Sequence, residues 1–168
     1  MTYLSRSSIF WLLKRAALLG ICLLIAGATI AQQQTRKTGG TDEPIFLDYR
    51  GVQIGWLADE VRKKLGAPAD KGDEQDLYVF NEKEMCQVLY DKSTRKVTAI
   101  SIDFMNGATS VITPEQVFGA DFETKPDGSK YKLVRYPKAG YWVSYNRTAG
   151  DTPMVTITMQ KLQGPPAQ

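Results

Sequence analysis

The chain has 168 residues, 43% of them hydrophobic, with 21 basic and 18 acidic side chains and no histidine. That composition suits a globular protein, and the missing histidine removes the commonest general base and the commonest metal ligand together. The formal charge of +3 resides in Arg6, Lys14 and Arg15; the remainder holds 18 basic and 18 acidic residues, with no electrostatic footprint for nucleic acid.

The first element is a targeting segment. Arg6, Lys14 and Arg15 form a basic head, the stretch 16–31 carries no charge, and Ala26-Gly27-Ala28 and Thr29-Ile30-Ala31 both offer small side chains for signal peptidase. Residues 1–31 therefore read as a signal peptide, and the mature chain as periplasmic or extracellular. The competing reading is an uncleaved anchor, for which the run falls short of the roughly 20 apolar residues of a spanning helix. Membrane attachment would then be through this segment alone. Cys22 lies inside the apolar run behind Ile21, where a lipidation site would need a small residue. Cleavage leaves Cys86 as the one cysteine, so an internal disulfide is excluded. Its alternation with Val88 and Tyr90 reads as a buried apolar position; a reactive thiol or an inter-chain cross-link is the other reading.

Residues 32–44 contain no anchoring apolar side chain and read as a flexible linker, and 163–168 as a disordered tail. Between them lies enough chain for one core. A lead-in strand over 45–50 precedes a helix over 57–66, in which Ala58, Val61 and Leu65 form an apolar stripe and Gly66 is the stop. The acid-rich stretch Asp70, Asp73, Glu74 and Asp76 reads as a solvated loop, with a calcium site as the sharper alternative. Strands follow over 77–80, 85–91 and 96–104. Thr113, Pro114 and Gln116 then mark a second, shorter helix start before Gly119. Three more strands follow over 131–136, 141–147 and 154–161. This order predicts an α+β fold of two tandem helix-plus-three-stranded antiparallel sheet units, 45–108 and 109–162. Their sheets would be joined or packed, with short helices on one face.

Ile54-Gly55, Glu60-Val61 and Leu65-Gly66-Ala67-Pro68, followed by three strands, resemble the SmpA/OmlA (BamE-like) family. Trp56-Leu57 stands where that family's pattern has Met-Thr. In tandem, the unit is similar to the β-lactamase inhibitor protein architecture, and the resemblance implies a sheet face that grips another protein.

With the acidic stretch read as a solvated loop, no catalytic group, metal site or cofactor is expected. Aromatic residues are the better lead: Tyr136 and Trp142, beside Arg135 and Lys138, have the composition of a partner-binding patch. A glycan platform has the same ingredients, and rings that fill a thin core are the plain alternative. The resulting expectation is an exported, non-catalytic protein-binding module or scaffold of the bacterial envelope, whose partner is another envelope or extracellular protein. A membrane-anchored structural or assembly accessory is the alternative.

Overall fold

Alternating apolar and polar side chains drive strand formation, and here the alternation joins every strand into one sheet. The computed structural model describes residues 43–164. The predicted leader, nearly all of the 32–44 linker and most of the 163–168 tail lie outside the described residues. In chain order the elements are helix α1 (Ala58–Leu65), strands β1 (Asp70–Lys71), β2 (Gln75–Asn81), β3 (Glu84–Tyr90) and β4 (Val97–Phe104), helix α2 (Pro114–Phe118), and strands β5 (Lys130–Tyr136), β6 (Tyr141–Arg147) and β7 (Val155–Lys161). The sheet is antiparallel throughout, in the order β1-β2-β3-β4-β7-β6-β5.

This overturns the expected fold of two tandem helix-plus-three-stranded units. The protein is mainly one seven-stranded sheet with two short helices. Its middle is the β4–β7 pair, where Ile100 faces Met159, Ile102 faces Ile157 and Phe104 faces Val155. The physical reason lies in the helices. Among their residues, only Ala58 and Val61 of α1 and Pro114 and Val117 of α2 are buried, too little to roof two separate sheets. Val61 and Val117 instead share a single core with Val88, Ile102, Val143 and Ile157, all at 0% exposure. Continuity also removes two open strand edges, each a row of unpaired backbone groups.

The start of α1 has no hydroxyl cap, because Leu57 occupies that position. Two other acceptors replace it. The Glu60 carboxylate accepts the Leu57 N–H at 2.8 Å, and the Arg95 carbonyl accepts the Ala58 N–H at 3.0 Å. The second bond, with Gly55 N–H to Val97 and Val97 N–H to Trp56, lays the segment before α1 along the start of β4. A bulge there pairs Tyr90 with Val97 and Leu89 with Ala99. It turns Val97 into the core and leaves Thr98 half-buried, its hydroxyl on the Leu89 carbonyl at 3.3 Å.

Two buried carboxylates pin the edges of the core. Asp76, at 0% exposure, accepts two hydrogen bonds from the Arg62 guanidinium at 2.8 and 2.9 Å and one from the Tyr90 hydroxyl at 2.8 Å. Arg62 also donates to the Gly72 carbonyl, so one side chain ties α1 to β2 and to the β1–β2 turn. The acid-rich loop is thus not simply solvated: Asp76 is interior, while Asp73 and Glu74 lie beside Arg95 and Lys92. Glu84 is the second carboxylate. It accepts from the Tyr49 hydroxyl and from Arg50, whose guanidinium lies 4.0 Å over the Phe80 ring. Arg50 reaches it from a left-handed backbone with φ of 50°, a conformation that costs a non-glycine residue about 1 kcal/mol.

Candidate binding face

Strand parity sends alternate side chains of the sheet to opposite faces. Both helices pack on one face, with the core. The other face carries three aligned rows, set by the strand registers. The middle row runs Leu77, Gln87, Ser101, Thr158, Ser144 and Leu133 from β2 to β5. On one side of it runs Gln75, Leu89, Ala99, Gln160, Trp142 and Arg135. On the other side runs Val79, Met85, Asp103, Thr156, Asn146 and Tyr131. Apart from Ala99, every one of these residues is half-buried or exposed. At the usual strand spacing the six strands span about 24 Å.

The chemistry of this face is unusual for a solvated surface. Arg135 and Asp103 are its only charged residues in three rows of six, against the quarter to third that is ordinary for a protein exterior. The centre is lined by neutral hydroxyls and amides held in register. Ser101 and Thr158 hydroxyls lie 3.2 Å apart, Thr156 donates to Asp103 at 2.6 Å, and Gln87 donates to Gln75 at 3.1 Å. Leu77, Val79, Tyr131 and Leu133 lie on the two outer strands, the last three of them exposed. Charge depletion, with Trp142, Tyr131, Met85 and Arg135 among its larger side chains, matches the composition of a protein-contact surface.

The four predicted site residues divide between places. Arg135 and Trp142 are direct cross-strand neighbours on the open face. Tyr136 pairs with Tyr141 across the same hairpin, but both rings point to the helix side, Tyr136 at 6% exposure. Burial pushes both phenols above their ordinary range, and the Tyr141 hydroxyl donates to the Phe46 carbonyl at 3.2 Å. Lys138 lies in the β5–β6 turn and, with Tyr141, Leu47 and Ile54, lines an open groove of about 450 Å³. Trp142 and Arg135 therefore belong to the face; Tyr136 supports it from behind, and Lys138 belongs to the groove.

Tyr131 and Leu133, which the alternation of β5 places on the same face as Arg135, were not among the predicted site residues. Nor was the row of uncharged outward residues on β7, Thr156, Thr158 and Gln160. Their signal was present, since each alternates with a buried apolar residue. Cys86 is 1% exposed, and burial pushes its thiol up to about 12, so it is not a poised nucleophile at neutral pH. Among the described residues no cluster of acids and cysteine is arranged to hold a metal ion. No family model matches the chain, and neither a curated protein nor a solved structure matches it.

Proposed function

We propose that the chain is an exported, non-catalytic binding module of the bacterial envelope that holds another protein against the open face of its sheet. The observation that carries this reading is the six-strand face with two charged residues, unroofed by either helix. A face of that breadth suits a partner that covers several strands at once. Trp142, Tyr131 and Arg135 supply the side-chain types that dominate interface energetics when they become buried. The hydroxyl strip at the centre supplies hydrogen bonds without the desolvation cost of charges. The leader's basic head, uncharged apolar run and small-residue ending support export.

Two measurements test the proposal. Mass spectrometry of the chain recovered from a bacterial envelope is expected to place the N-terminus at Thr29 or Gln32; an intact N-terminus would favour the anchored accessory. Capture of the envelope partner is expected to fall at least tenfold with Trp142→Ala or Ser144→Glu, while the melting temperature moves by only a few degrees. Unchanged capture with both variants would remove the face from the account.

A further inference from the structure

The two edges of the sheet are finished differently. On the first side the two-residue strand β1 covers part of β2, and Arg50 lies over Phe80 farther along. On the other side β5 is a full seven-residue strand whose outer edge pairs with nothing among the described residues. A strand so left is a template for one more. Its chemistry is selective. Between residues 130 and 138 the chain carries Lys130, Lys132, Arg135 and Lys138 and no acid; the nearest from the preceding loop are Asp121, paired with Lys130, and Glu123, which lines a groove with Lys125, Tyr131 and Lys132. Lys130 contacts Asp121 at 2.7 Å, and the Lys132 ammonium lies 4.8 Å over the Phe118 ring. Arg135 is exposed beside Tyr131 and Leu133, themselves 56% and 37% exposed.

Basic side chains thus flank the edge from both faces, with Lys130 and Lys132 on the helix side and Arg135 on the open side. Pairing β5 with β5 of a second copy would bring Lys132 and Arg135 of both, four basic side chains beyond the Asp121-paired Lys130, into one two-stranded ribbon, which like-charge repulsion opposes. An extended segment rich in Asp or Glu meets the opposite situation. It gains ladder hydrogen bonds along β5, attraction to Lys132 and Arg135, and cover for Tyr131 and Leu133. We propose that the outer edge of β5 takes up an acidic, extended segment of the partner protein as an eighth strand. This rests on the reading of the open face as a protein-binding surface, which the added strand would extend by one.

The test uses the mature chain and a capped octapeptide of alternating Glu and Val. The peptide is expected to slow amide hydrogen exchange at alternate residues of β5 by at least tenfold, with little change elsewhere. An edge-paired strand bonds through every second N–H. N-methylation of all Val or of all Glu residues is therefore expected to abolish protection in one case and spare it in the other. With its valines over Tyr131 and Leu133 the peptide presents its glutamates on the Lys132 side, so Lys132→Glu is expected to lose the Glu peptide and take up its Lys counterpart instead. Binding that survives both N-methylations, or protection away from β5, would overturn strand addition. So would a dimer of the free chain whose β5 amides are protected without peptide. If these fail while Trp142→Ala still abolishes partner capture, strand addition alone falls; if Trp142→Ala leaves capture intact, the face reading falls.

Discussion

Asp76→Ala is expected to destabilise the protein by about 3 kcal/mol, the low end of the cost of breaking a buried ion pair. Asp76 is wholly enclosed, and its removal strands the Arg62 guanidinium and the Tyr90 hydroxyl. Arg62 retains its bond to the Gly72 carbonyl and some access to water, which keeps the loss from being larger. The pair should matter less than either partner's loss suggests. Replacing both by apolar residues, Asp76→Leu with Arg62→Met, is expected to recover most of the stability, because the desolvation penalty of both charges disappears. Urea titration of the three variants decides this; a double variant as weak as the single ones would mean that the turn depends on the charges themselves.

The same site sets the acid response. Burial alone would raise the Asp76 carboxyl, but hydrogen bonds from Arg62 and Tyr90 and the Arg62 charge hold it below its ordinary value. Glu84 is lowered likewise: Tyr49 and Arg50 outweigh its burial. A carboxylate depressed in the folded state binds its proton more readily once unfolded, so it contributes stability above the unfolded value of about 4. That contribution is lost as pH falls through the depressed folded value. The stability gap between the wild type and Asp76→Ala is therefore expected to be full near neutrality and to narrow below about pH 4.

Ile157→Ala is the second large effect, expected at about 3 kcal/mol, within the range of buried aliphatic truncations. Ile157 sits opposite Ile102 at the junction of β4 and β7, both at 0% exposure. Because one core serves the whole sheet, the loss is expected to be felt everywhere in the domain. Trp56 reports from beside α1 and Trp142 from β6, so variants that retain one or the other follow the two sides separately. Their denaturation curves are expected to coincide and to shift together in Ile157→Ala. Separated transitions would mean two folding units.

Much of the local structure was legible because its causes are local. The stripe Ala58, Val61 and Leu65 with Gly66 behind it announced α1, and Thr113, Pro114 and Gln116 announced α2. Strand parity likewise puts Trp142 on the face opposite Tyr141, Val143 and Tyr145, with Ser144 and Asn146. The sequence left open whether the sheets join or pack. No residue between 104 and 155 states that β4 will pair with β7; that pairing follows from a shared core that neither helix can roof alone. The bulge at Leu89 and Tyr90 was also hidden: plain alternation back from Ile102 and Ile100 would send Thr98 to the core face that Val97 takes. Tyr136 was misgrouped for a simpler reason. The hairpin that faces Arg135 with Trp142 must face Tyr136 with Tyr141, and therefore set them on opposite sides of the sheet.

The central claim is that the partner lies against the open face and not against the helices. Site-specific photo-crosslinking tests it most directly, with a photoreactive residue placed at Ser144 or Thr158 on the face, or at Lys63 on the exposed side of α1. The account predicts a crosslinked partner from Ser144 and Thr158 and none from Lys63. Crosslinking from Lys63 with none from Ser144 or Thr158 would contradict it.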